Sequence, residues 1–160
     1  YDPAWPSVFS RLEKQIPGAL GDGILLLEHV GSTSVPGLSA KPILDMVLAV
    51  ADSNDEPSYV QPLEEKGYTL RIREPDWYEH RLLIPPGVKG SLHVFSDGCE
   101  EIEQMLLFRD WLRNHADDRV LYEETKRELA ARTWKYMQNY ADAKTEIVHE
   151  ILARARRNPI

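Results

Sequence analysis

The segment from Glu28 to Asp45 reads EHVGSTSVPGLSAKPILD and places small hydroxyl residues, two glycines, a lysine and an aspartate between two apolar runs. Each residue type has a use in handling phosphate. Gly31 allows a backbone angle that other residues avoid and lets a ligand approach the main chain. Ser32, Thr33 and Ser34 can cap a short helix whose free N–H groups face an anion. Lys41 adds a mobile positive charge, and Asp45 adds a carboxylate at the start of the next apolar run. A phosphate accompanied by a divalent cation would use all of these groups together. The competing reading is a well-capped loop in which Pro36-Gly37 makes a second turn and Lys41 points to water.

Asp45 is the sharper clue, because the residues after it are Met, Val, Leu, Ala and Val. A carboxylate in such a strand needs a partner, a metal or several hydrogen bonds. His93 poses the same question within Leu92-His93-Val94-Phe95, and a sheet containing both residues makes a shared site. Strand alternation turns only one of Glu28 and His29 toward the loop's side. Three cations complete the candidates. Arg109 continues the stripe of Ile102, Met105 and Leu106 and so faces the core side of its helix, where a guanidinium pairs with a buried acid or reaches a ligand. Lys126 shares a helix face with Tyr122, four residues earlier, and Arg81 lies in a strand. For all three the ordinary alternative is a salt bridge.

The elements that must position these groups follow from hydrophobic period and turn chemistry. Val8, Phe9, Leu12 and Ile16 recur at helical spacing, with Pro6 in the first turn and Pro17-Gly18 as the stop. Ile24 to Val30 and Ile43 to Val50 are strands, apolar enough to be central and covered on both faces. Ser58 and Gln61 suit a capping box for a short helix ending at Gly67. Tyr68–Arg73, His80–Ile84 and Leu92–Phe95 are further strands, the last two joined by a turn at Pro85-Pro86-Gly87. From Glu100 onward the pattern is helical to the end, with Asp117 or Asp118 as one cap and Asp142 as another. The middle helix alone can cross between parallel strands, and the tight connections after it favour antiparallel pairs. The expectation is a single α+β domain over residues 1–160, with a short mixed sheet flanked by helices and a helical C-terminal third.

Composition narrows the partners. A net charge of −7 and a pI near 5.2 argue against a general nucleic-acid or membrane-surface binder. No apolar run approaches the roughly 20 residues that span a bilayer, and no secretory signal is visible. Cys99 is the only cysteine, which excludes an internal disulfide and fits a reducing compartment such as the cytoplasm. It stands where a helix begins, and the plain reading is a small residue in a first turn.

The segment from Glu28 to Asp45 resembles the GrpB family, whose members carry the form EHxGSTxVPGLxAKPxxD. The likeness continues through Tyr1–Pro6, His93–Phe95, Phe108–Arg113, Tyr122 with Lys126, and Tyr140–Lys144. It implies the nucleotidyltransferase superfamily fold, in which Gly-Ser ends one strand, an Asp-x-Asp pair lies on the next, and a third carboxylate lies on a later strand. Gly31-Ser32 followed by Asp45 suits that spacing. Val47 stands in place of the second acid and His93 in place of the third. The superfamily's usual chemistry holds two Mg²⁺ ions on three carboxylates, and losing two acids removes at least one such site. What remains, Asp45 with His93, suits one divalent cation such as Mg²⁺, Mn²⁺ or Zn²⁺, or none.

Three functions compete on these residues. The first is a nucleotidyl- or phosphoryl-transferring enzyme, with Asp45 and His93 as metal ligands or base and Gly31, Ser32, Thr33, Lys41, Arg81, Arg109 and Lys126 on the phosphates. The second is a binder of a nucleotide or phosphorylated small molecule that kept the cradle and lost the metals. GrpB-like domains fused to dephospho-CoA kinase point, by association, to an adenylate or CoA-related ligand. The third is a structural or partner-binding domain in which Asp45 pairs internally.

Overall fold

A computed structural model describes residues 2–131 and 137–157, with the backbone alone over 137–141. Helix α1 (Trp5–Leu20) is followed by strands β1 (Leu26–Val30) and β2 (Leu44–Val50), then helix α2 (Val60–Glu65). Strands β3 (Thr69–Glu74), β4 (His80–Ile84) and β5 (Gly90–Ser96) complete the sheet, and helices α3 (Glu100–Asn114), α4 (Ala116–Ala131) and α5 (Met137–Arg157) follow. The five strands lie in the order β1-β2-β5-β4-β3. Only β2 and β5 run parallel; β1 against β2, β4 against β5 and β3 against β4 are antiparallel. The α+β class and the mixed sheet are therefore as the sequence indicates.

Alternation along the strands sorts their side chains onto two faces. One face packs Leu44, Met46, Leu48, Leu83 and Leu92 against Leu12 and Ile16 of α1 and Leu63 of α2. The other packs Val30, Val47, Ala49 and Phe95 under Ile102 of α3. A third apolar cluster lies outside the sheet. There Val35 and Leu38, from the loop between β1 and β2, join Trp111, Leu112, Tyr122, Ile147 and Ile151. Burying a residue such as Leu38 stabilises by roughly 2 kcal/mol, so the loop is anchored onto the helical third by its own apolar residues.

Register then decides which polar groups meet. Asp45 lies opposite Val30 and Ser91, and Val47 lies opposite Glu28 and His93. Leu82 opposes His93, and Glu74 opposes His80. Glu28, Asp45, His80 and His93 accordingly share the α3 face, whereas His29 and Arg81 point to the other.

Several local expectations are corrected. Pro17-Gly18 does not stop α1, which runs on to Leu20; Pro17 is exposed, and the turn after it is held by packing of Ala19 and Leu20 on the core. Strand β1 is an edge strand, not a central one, and its ladder begins at Leu26. No capping box forms at Ser58, whose hydroxyl bonds back to the Asp55 carbonyl while Tyr59 precedes α2. Neither later cap forms as expected. Helix α4 already starts at Ala116, Asp118 is buried against Trp111 and Arg154, and Asp142 falls inside α5. The crossover expected of the middle helix also carries β3 and β4, since the parallel partner of β2 is β5. No helix among the described residues is long and apolar enough to cross a membrane.

Candidate functional site

The loop after β1 is built around Gly31, at φ 74°. A Cβ there would stand 2.7 Å from Asp45 Oδ2, so glycine is what lets the carboxylate lie against the loop backbone. Ser32–Ser34 form a single 3₁₀ turn. Its residues have separate duties. Ser34 Oγ donates to the Gly31 carbonyl, while Thr33 Oγ1 shares a hydrogen bond of 2.9 Å with His29 Nε2 beneath the turn. Arg113 Nε holds the Ser34 carbonyl at 2.9 Å, and Glu123 accepts from the Ser39 N–H at 2.6 Å.

Ser32 is the residue of the turn that faces outward to a cation. Lys126 Nζ donates to its Oγ at 2.9 Å, across from α4, and lies 4.8 Å from the Tyr122 ring centre. Burial, with repulsion from Lys144 and Lys41, lowers the Lys126 ammonium to a pKa of about 8 against the opposing pull of Glu123. A cleft of about 600 Å³ opens here, lined by Ser32, Thr33, Lys41, Asp45, Lys126 and Lys144 among others. That volume lies within the range of small-molecule sites. A hollow of similar size along α1 is lined by one face of that helix, with Arg11 and Lys14 but no acid.

Behind Asp45 stands the second group. His93 Nε2 lies 3.4 Å from Asp45 Oδ1, and both side chains are partly exposed. Val47 is fully buried between Glu28 and His93 in the register, under the α3 face. Among the described residues no three His, Cys, Asp or Glu side chains gather to hold a metal. Asp45 with His93 supplies two protein donors, which does not fit a two-ion centre.

A family model described as GrpB protein matches residues 1–154. The chain belongs to the GrpB family. It is 57% identical over 155 residues to a UPF0157 protein of Halalkalibacterium halodurans, covering 97% of this chain and 80% of that one. The crystal structure of the conserved protein GrpB from Enterococcus faecalis matches with a TM-score of 0.77 at 27% identity, over 96% of both chains. A dephospho-CoA kinase of Mycolicibacterium paratuberculosis is 27% identical over 96% of this chain and 44% of its own length.

In this GrpB-family chain the residues singled out from the sequence divide into two sets. Gly31, Ser32, Thr33, Lys41, Asp45 and Lys126 meet around the cleft, and His93 adjoins it through Asp45. Arg81 lies outside: it is 3% exposed and held by Glu56, Glu79 and Asn54 on the far face of the sheet. Arg109 is also placed elsewhere. It ties α3 to the end of β1 through Glu28 and the His29 carbonyl, braced by its neighbour Asp110, so Glu28 is committed to that ion pair. His29 is buried on the other face, stacked on Phe9, and burial together with Arg113 and Arg109 lowers its pKa to about 4 against the pull of Asp45. Tyr1 and the side chains of Tyr140 and Ala141, part of the resemblance, lie outside the described residues.

Sequence reasoning missed Glu123 at the cleft and His80 with Glu74 behind His93, and it met Lys144 only as the end of the Tyr140–Lys144 resemblance. Lys144 and Glu123 sit on charged helices that look like ordinary solvated faces. His80 pairs with His93 only through the β4–β5 register, for which no spacing in the sequence gives a signal.

Proposed function

We propose that the cleft binds the phosphate groups of a nucleotide or related phosphorylated small molecule, with Ser32, Lys126 and Lys41 as the cradle and Asp45 at its edge. The observation that carries this reading is Lys126: a lysine largely withdrawn from water, hydrogen-bonded to one hydroxyl, with two more lysines close enough to repel it. Such an arrangement is costly without an anion and is relieved by one. Desolvation also strengthens each charge-assisted hydrogen bond the ammonium makes to phosphate. The match to dephospho-CoA kinases makes adenylates and CoA the first ligands to try.

Transfer of a nucleotidyl group is the second reading, favoured by the Asp45–His93 pair beside the cradle. Binding does not depend on it. Calorimetric titration with ATP, GTP, CTP and CoA, each with and without Mg²⁺ or Mn²⁺, tests both readings. Binding of at least one ligand, lost in Ser32→Ala and in Lys126→Met, supports the cradle, and unchanged affinity in both variants refutes it. A requirement for the divalent ion, abolished by Asp45→Asn, supports the second reading with a single cation joining Asp45 to the ligand. Metal-independent binding leaves the chain a binder.

A further inference from the structure

Four side chains on four strands form one continuous line across the α3 face of the sheet. Glu74 Oε1 on β3 lies 2.7 Å from His80 Nδ1 on β4. His80 Nε2 lies 3.0 Å from His93 Nδ1 on β5, and His93 Nε2 lies 3.4 Å from Asp45 Oδ1 on β2. The rings of His80 and His93 stack at 5.2 Å between centroids, and His80 is sealed between Phe95 at 4.9 Å and the edge of Trp77 at 5.0 Å. His80 is 3% exposed, so its two ring nitrogens have these partners and no contact with bulk water.

Counting hydrogens against the lengths of the gaps gives the direction of the line. Three gaps separate the four groups, and each needs one hydrogen, but two neutral imidazoles bring only two. A carboxylate can only accept, so the shortest gap takes the Nδ1–H of His80. His80 Nε2 is then a lone pair, and of the two remaining gaps the shorter, at 3.0 Å against 3.4 Å, takes the Nδ1–H of His93. The longest gap is left without a hydrogen: the Nε2 lone pair of His93 faces an Asp45 oxygen, two acceptors at 3.4 Å. The count applies above the ordinary imidazole range, at about pH 8. Glu101, on α3, is the other acid whose field reaches His93.

We infer that Glu74 and His80 are positioning residues that lock His93 as the Nδ1–H tautomer, so that His93 Nε2 and the Asp45 carboxylate form a hydrogen-accepting pair at the edge of the cleft. The free imidazole prefers the opposite tautomer, and a carboxylate in front of Nε2 would normally enforce that preference. The relay from Glu74 reverses it. The pair then accepts a hydrogen from a ligand hydroxyl, an assignment that rests on the cleft reading above. The tautomer itself does not.

The test is long-range ¹H–¹⁵N correlation of the histidine rings at about pH 8, where unperturbed imidazoles are neutral, without any ligand. In the native protein, Nδ1 of both His80 and His93 is expected at the protonated ¹⁵N position and both Nε2 at the unprotonated one. In His80→Phe, which keeps an aromatic ring against Phe95 and Trp77, His93 is expected to revert to Nε2–H. Glu74→Gln alters only a half-exposed carboxylate and is expected to reduce the Nδ1–H population of His80. A native His93 carrying Nε2–H overturns the inference, as does a His93 tautomer unmoved by both substitutions. Because no ligand is present, failure to bind nucleotides leaves this result standing, and a negative result here leaves the cradle intact.

Discussion

Raising the pH from about 7 to about 9 should weaken binding of ATP, or of whichever nucleotide in the panel binds, by about tenfold through Lys126 alone. The ammonium has a pKa of about 8 because burial and the neighbouring Lys144 and Lys41 disfavour its charge. It is then about nine-tenths protonated at pH 7 and about one-tenth protonated at pH 9. If the charged form is the one that holds phosphate, the free protein must take up a proton before binding at the higher pH. The tenfold loss corresponds to about 1.4 kcal/mol. The ligand contributes little to this slope, since a phosphate with a second pKa of about 6 is already about nine-tenths ionised at pH 7.

The assay is isothermal titration at constant ionic strength, because surface charge interactions are screened by salt and would otherwise blur the comparison. Two variants separate Lys126 from other groups. Lys126→Arg keeps the charge at every pH, so its affinity should be flat over the interval. Lys126→Met removes the Ser32 partner and should bind weakly at both ends. A native affinity that does not change with pH, or a Lys126→Arg protein with the native slope, refutes the assignment of Lys126 as the phosphate cation.

Gly31→Ala should destabilise the fold by about 1–3 kcal/mol in chemical denaturation, since an alanine at φ 74° is strained and its Cβ collides with Asp45 Oδ2; native stability in that variant would contradict the close approach. Acid should destabilise the native protein through His29, because with a pKa of about 4 folded and 6.5 unfolded the unfolded state binds more protons between those values. Stability is complete above pH 6.5 and declines as pH falls toward 4; from about pH 7.5 to pH 5 the loss is about 2 kcal/mol, and His29→Gln should abolish that component whatever it does to the baseline. Val47→Asp should cost about 3 kcal/mol or more, seen as a lowered melting temperature that Mg²⁺ does not restore; restoration would mean that position 47 opens to the cleft rather than packing under α3.

Much of the cleft's lining is legible in the sequence because those residues lie close together along the chain. Gly31, Ser32 and Thr33 lie within a single turn, and Lys41 and Asp45 follow across one loop, so type and spacing were enough. The strands are legible for a similar reason: β2 is a nearly unbroken apolar run, and the pattern puts β4 at His80–Ile84, its observed bounds. What failed depended on contacts between distant segments. Arg81 and Arg109 look equivalent as cations near apolar residues, yet alternation sends Arg81 to Glu56 on one face and helix packing sends Arg109 to Glu28 on the other. Pro17 looked like a stop because the cost of a proline inside a helix is local, whereas the packing of Ala19 and Leu20 that offsets it is not.

Val47 and His93, the two positions that the resemblance singled out, are linked by the sheet itself. They are register partners on β2 and β5, and both lie on the α3 face. An acid at position 47 would sit in the apolar layer formed by Val30, Ala49, Phe95 and Ile102, where an ionised carboxylate needs a cation to stay charged. A histidine at position 93 has no such requirement, because a neutral imidazole is tolerated there provided its second nitrogen has a partner. His80 is that partner, and Glu74 supplies the direction. The α3 face therefore carries an apolar residue at position 47 and, through His93 and His80, a line of imidazoles ending at Asp45. On the inference drawn above, the Glu74–His80–His93 line sets an oriented acceptor beside Asp45 at the edge of the cleft.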